Sequence, residues 1–176
     1  MRTILVASCA ALLSLSAIVH AATLGFTAPA GWKPVPTSSS MRVGQFAIPK
    51  SAGDSQDAEI VVYYFGGSGG TIDANIERWI GQMQQPDGKP SAGVAQRSKR
   101  TINGLAVTMV DVSGTYIAEM TPGASERHNS PNFRLRAAVV ETANGPYYIK
   151  LTGPAKTVAA ADKAFEEFLT SLKYQP

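Results

Sequence analysis

The chain has 176 residues with a formal net charge of +3, 16 lysines and arginines standing against 13 acidic residues, and it contains one cysteine and two histidines. That length suits one ordinary domain. So small an excess of positive charge argues against nucleic acid as a partner.

Arg2 gives a basic start, Ile4 to Val19 is an apolar run broken only by small residues, and Val19 and Ala21 supply the small side chains that signal peptidase reads. Residues 1–21 therefore read as an export signal, and 22–176 as a single mature domain, periplasmic or secreted. The run is shorter than the ~20 residues of a membrane-spanning helix, and no second such run follows, so no transmembrane segment is expected after cleavage. Val6, Ala7, Ser8 and Cys9 roughly outline a lipobox, but too few apolar residues precede Cys9 for a normal signal core. Loss of this segment removes Cys9 and His20. The mature chain then has no thiol for a disulfide, thiolate chemistry or a cysteine metal site, and His128 alone cannot build a histidine metal site, so neither metal nor cofactor is expected.

Leu24 to Ala28 reads as a short strand, followed by a loop rich in proline and serine under which Trp32 is expected to tuck. Met41 to Ile48 and Glu59 to Phe65 read as strands. After the glycines at 66, 67, 69 and 70, Ile72, Ile76, Trp79, Ile80 and Met83 recur at helical spacing, with Thr71 placed as cap and Asp73 at the positive end. Val94 to Ile102 and Leu105 to Ile117 flank Asn103 and Gly104, a strong hairpin signal because both positions tolerate positive φ. A polar loop, 118–132, precedes two more strands, Phe133 to Thr142 and Tyr147 to Thr152. A last helical stripe runs from Val158 through Phe165, Phe168 and Leu169 to Leu172, with Thr157 expected as its cap. Strands joined by short turns imply an antiparallel sheet of six or seven strands, and two helices must bury their stripes on it: a single α+β domain.

The opening from Phe26 through Pro29 and Gly31 to Trp32, the order of elements, and the closing helix with Phe165, Phe168 and Leu169 resemble the PsbP-like fold. Tyr63, Tyr64, Phe65, Gly66 and Gly67, followed by Gly70, Asn75, Arg78 and Trp79, are similar to a group of uncharacterised exported bacterial proteins. The resemblance implies a central antiparallel sheet flanked by helices, and non-catalytic binding or assembly at an extracytoplasmic surface. The metal-binding histidine of plant PsbP proteins has no counterpart here, so no functional residue is carried over.

Three features could carry chemistry. Strand, glycine loop and helix start, the arrangement of Gly66 to Thr71, can cradle an anion, with Gly69, Gly70 and Thr71 as contacts; the loop lacks the lysine of a P-loop and the third glycine of a dinucleotide fingerprint. His128 lies in the longest loop near Glu119 and Glu126, but one histidine is a poor metal site, and no serine sits in a nucleophile elbow. Arg134 and Arg136 alternate with Phe133, Leu135 and Ala137, so they share a face; with Lys99 and Lys150 on other strands they would form a positive patch on the solvated side of the sheet, offset by Asp54, Asp57 and Glu59. No catalytic residue is identified. The expectation is a non-enzymatic exported protein that binds an unknown protein or anionic envelope component; the alternative is a carboxylate-dependent enzyme acting on a small substrate or sugar. The exported protein's intact mass should match a chain that begins at Ala22. Retained residues 1–21, or a diacylglycerol on Cys9, would overturn the export reading.

Overall fold

The computed structural model describes residues 23–175, so the expected signal and its cleavage site lie outside the described residues. In chain order the elements are β1 (Thr23–Gly25), β2 (Lys33–Pro34), β3 (Arg42–Ile48), β4 (Ala58–Tyr64), α1 (Ile72–Ile80), β5 (Met83–Gln84), β6 (Gln96–Ile102), β7 (Leu105–Tyr116), β8 (Ser130–Val140), β9 (Tyr147–Pro154), α2 (Ala155–Ala160), α3 (Asp162–Thr170) and β10 (Lys173–Gln175). Eight strands make one antiparallel sheet ordered β2-β3-β4-β9-β8-β7, with β5 and β6 both paired to β7, while β1 pairs with β10. This is the expected α+β domain. The sheet gains short edge strands, β2 and β5, too brief to leave a period in the sequence.

The sheet is covered on both sides, which departs from the solvated outer face expected from sequence. On one side Val158, Phe165, Phe168, Leu169 and Leu172 pack on Ile60, Val62, Ala138, Val140, Ile149 and Leu151, and Trp32 joins them against Phe168 at 5.4 Å between ring centroids. On the other, Ile76, Trp79, Ile80 and Met83 pack on Val110, Val112, Leu135, Ala137, Val139 and Tyr148. Central strands buried on both faces lose the alternation of a half-exposed sheet, and Ala137 to Val140 are all buried accordingly.

The hairpin at Asn103 and Gly104 is present as expected: Ile102 faces Leu105, and the two turn residues have φ of 49° and 82°. Asn103 also donates through Nδ2 to the carbonyls of Thr170 and Leu172, 2.8 Å each, which satisfies backbone acceptors at the end of α3. The final stripe divides at Ala161 into α2 and α3. Thr157 is not a cap. It lies inside α2, buried, and its backbone N–H and hydroxyl both donate to Asp54 Oδ2, so a carboxylate from the β3–β4 loop caps the helix from outside. Trp79 is 4% exposed and meets Tyr148 edge to face. Its replacement by alanine should cost about 3–5 kcal/mol as a core cavity, whereas His128→Ala, a loop change, should cost under about 1 kcal/mol. Urea melts of the two variants check that order.

Candidate functional site

The register decides which predicted site residues meet. Arg134 and Arg136 share a face, but it is the face that carries α3. Arg134 donates to both Asp111 oxygens, Nε at 2.8 Å and Nη2 at 2.6 Å, and through Nη1 to Asp162. Arg136 donates to Asp162 at 2.8 Å and to Glu166 at 2.9 Å, and its guanidinium lies 4.6 Å from the centroid of the Phe165 ring. Arg100 reaches Glu166 from β6. Three arginines thus face three carboxylates in a network that fastens α3 to the sheet. Hydrogen bonds to Asp111 and Asp162 hold the Arg134 guanidinium firmly charged against the desolvation that opposes it. The outward positive patch built on Arg134 and Arg136 therefore does not form.

Lys150 faces the other way. It pairs with Ala137 and Val61, and so shares a face with Tyr148 and the α1 core. Lys99, opposite Thr108, is on that same face but three strands distant at the exposed end of the sheet, roughly 14 Å by strand spacing. Gly69, Gly70 and Thr71 serve the entry to α1. The carbonyls of Gly69 and Gly70 accept from Asn75 Nδ2 and the Tyr148 hydroxyl, and Thr71 Oγ1 accepts from the Ala74 N–H. A Cβ on Gly69 would fall 2.6 Å from the Tyr148 ring, so the loop lies flat against that tyrosine. The first turn also carries Asp73, a poor neighbour for an anion.

What gathers around Lys150 is a cluster of polar and basic side chains that no sequence pattern assembles. Lys150 Nζ donates to Gln82 Oε1 at 2.7 Å and meets the Tyr116 hydroxyl at 2.9 Å, with the Tyr116 ring centroid 5.0 Å away. Across β4, Arg42 lies over the Tyr63 ring at 5.5 Å and donates to Gln45, which in turn donates to Glu59. Arg78 projects from α1, held by Asn75 Oδ1. Among the described residues none of Arg42, Arg78 and Lys150 has a carboxylate within ion-pairing distance. The hydroxyl of Thr152, on the same face one step along β9, is buried without a hydrogen-bond partner.

Burial pushes the Lys150 ammonium down to about 8, Arg78 and Arg42 push the same way, and Glu59 opposes them. Burial also raises Tyr63, and lifts Tyr116 to about 12, so Tyr116 keeps its proton at neutral pH. Lys150 nonetheless retains part of its surface in solvent. A hollow of ≈ 400 Å³ lies elsewhere, among the loops at 53–56 and 129–132 with Phe133 and Pro154. Its one carboxylate, Asp54, is already committed to α2. His128 stacks near Tyr116 at 5.1 Å, and among the described residues no group of three or more histidine, cysteine or acidic side chains is placed to hold a metal.

The alternation in β9 carried a signal for this site. Lys150 is the one charge in a strand flanked by Ile149 and Leu151, and an amine in that setting is desolvated whichever face it takes. Arg42 and Arg78, in contrast, come from a strand margin and a helix, and nothing in the sequence joins them to Lys150.

No family model and no curated protein matches the chain. Solved structures do. LpqN, involved in cell envelope biogenesis of Mycobacterium tuberculosis, superposes with a TM-score of 0.54 at 13% identity, over 92% of this chain and 88% of that one. PA94, a protein of unknown function from Pseudomonas aeruginosa, gives 0.50 at 16% identity over 81% and 90%. The cyanobacterial PsbP (CyanoP) of Synechocystis sp. PCC 6803 is also matched, at 11% identity and a TM-score of 0.47 over 93% and 99%. At such identities the likeness is one of fold alone, and LpqN and PA94 carry it.

Lys150 should make stability depend on pH with a definite sign. Its folded value of about 8 lies below the ordinary 10.5, so between the two the unfolded chain holds more protons and stability rises with pH; above 10 the buried tyrosines, raised in the fold, reverse the trend. From about pH 7.5 to 9.5 the wild type should gain about 1–2 kcal/mol over a Lys150→Met variant, a range discounted for the residue's partial exposure. Urea midpoints across that interval test it. A gap that stays constant would remove Lys150 from the buried site.

Proposed function

We propose that the chain is an exported, non-enzymatic binding domain whose ligand presents an anionic group to the cluster of Arg42, Arg78 and Lys150. The observation that carries this reading is the contrast between the two sheet faces. On the α3 side every converging arginine has a carboxylate, whereas on the α1 side three cations share one region and are bonded only to neutral groups: Gln45, Asn75, Gln82 and Tyr116. Burial is the main cause of the depressed Lys150, and Arg78 and Arg42 add to it while Glu59 offsets part of their effect; an entering anion relieves the remaining repulsion. An unbonded hydroxyl at Thr152 and the Tyr63 ring add a donor and an apolar wall.

An extracytoplasmic setting is supported by the leader-like residues 1–21, and no helix among the described residues is long and apolar enough to cross a membrane. LpqN, one of the proteins that shares the fold, is described as involved in cell envelope biogenesis, which agrees with an envelope component as partner. The carboxylate-dependent enzyme is less well supported, because the carboxylates that converge, Asp111, Asp162 and Glu166, are all bonded to arginine.

Retention on vesicles containing an anionic lipid, measured at low and high salt beside neutral vesicles, tests the reading. Wild type should be retained at low salt and released at high salt; Arg42→Glu with Arg78→Glu should lose most of that retention, and Lys99→Glu should change it little. Equal retention of wild type and the double variant, both folded by circular dichroism, would reject this cluster as the contact.

A further inference from the structure

Strand β6 leaves a long hydrogen-bonding edge of the main sheet open. It pairs with β7 alone, in one continuous register from Gln96 against Asp111 to Ile102 against Leu105. A two-residue turn makes its flanking residues, Ile102 and Leu105, a hydrogen-bonded pair. Pairs alternate from there, so Arg97, Lys99 and Thr101 turn their N–H and C=O groups away from β7. Among the described residues nothing receives those groups, and every residue from Gln96 to Thr101 is exposed, so no loop or helix covers the strand. The other margins of the sheet are blunted: β2 is two residues long and ends in Pro34, the register of β3 shifts between Arg42 and Gly44, and the outer side of β5 is bridged by Pro90 against Gln84.

β6 has neither proline, register shift nor cover; it has charge instead. Arg97 and Lys99 share the α1 face, since Arg97 pairs with Val110, and Arg100 takes the opposite face. Glu77 and Glu166 meet the two arginines at exposed positions, while Lys99 has no carboxylate among the described residues. This charge disfavours a second copy of the chain. Antiparallel pairing of β6 with itself sets Lys99 against Lys99, and the neighbouring registers set Arg97 against Lys99 or Arg100 against Arg100. An acidic strand meets no such penalty. We propose that β6 is a docking edge for an extended acidic segment of a partner protein. The segment joins the sheet as an antiparallel strand, with one carboxylate opposite Lys99 and a second, two residues on, opposite Arg97. Backbone hydrogen bonds hold the segment, and the cations select it. Val94, 50% exposed just before the strand, offers an apolar contact to the segment's end. Lys150 lies on β9, three strands away, so this surface and the anion cluster stand or fall separately.

A short labelled peptide that alternates glutamate with threonine is the probe, titrated with the intact protein and followed by fluorescence anisotropy at low salt. It should bind, a counterpart with lysine in place of glutamate should not, and Lys99→Glu should weaken the binding about tenfold. N-methylated peptides separate strand addition from charge alone. Residues opposite Arg97 and Lys99 direct their N–H groups at β6, so methylation of the glutamate nitrogens should abolish binding, whereas methylation of the threonine nitrogens, which face away, should leave it. Thr101→Pro removes one outward N–H from an edge position without a change of charge, and should also weaken binding. Failure of the unmethylated peptide to bind overturns the proposal, as do equal effects of the two methylations, and neither result needs a variant to fold. A dimer in sedimentation that Thr101→Pro dissociates would give the edge to a second copy and overturn it as well.

Discussion

Strand β9 is the constraint on which the rest of the structure turns. It lies between β4 and β8 at the centre of the sheet, and both of its faces are covered: Tyr147, Ile149 and Leu151 meet the layer of α2 and α3, while Tyr148 lies beneath Trp79 of α1. A strand so placed has little solvent-facing surface on which to park a charge. Lys150 must therefore be accommodated internally, by Gln82 at the C-terminal end of α1 and by Tyr116 near the end of β7. The position of α1, the course of the long strand β7 and the chemistry of the basic cluster are linked through that one amine.

The two faces handle charge in opposite ways. Beneath α3, Asp111, Asp162 and Glu166 neutralise Arg134, Arg136 and Arg100, and the bidentate geometry makes the contact directional, so it fixes how the helix sits as well as how strongly it adheres. Beside α1 only Arg97 meets a carboxylate, Glu77, at the exposed margin, while Arg42, Arg78 and Lys150 are anchored by amides and a hydroxyl, which orient them without discharging them.

Much of the fold was legible in the sequence because its elements are strongly patterned: the helical stripe from Ile72 to Ile80, the Asn103 and Gly104 turn, and the closing run to Leu172 all correspond to observed structure, whereas Met83, the last member expected of the first stripe, lies in β5. The site was much less so. Arg134, Arg136 and Lys150 were grouped because all three are basic and lie on neighbouring strands, yet Val140 faces Tyr147 across the hairpin, and that closing pair sets Lys150 against Ala137 and leaves Arg136 against Leu151. A shift of one residue in that pair would have put Lys150 opposite an even-numbered neighbour and on the arginine face. Thr157 shows the same limit. Its hydroxyl and sequence position suit a cap, but the capping group is Asp54, more than a hundred residues earlier, and no local pattern reports on it.

The pairing of β1 with β10 has a mechanical consequence. Thr23 faces Gln175, Leu24 faces Tyr174 and Gly25 faces Lys173, so the first and last described strands lie side by side in opposite directions. Tension applied across these two strands from their outer residues would open the ladder one rung at a time, beginning at Thr23 and Gln175, and would not shear all three rungs at once. The small sheet is then a sacrificial fastening: under load it yields first and in steps, while the eight-stranded sheet and the side-chain cluster around Lys150 bear no force until it has parted.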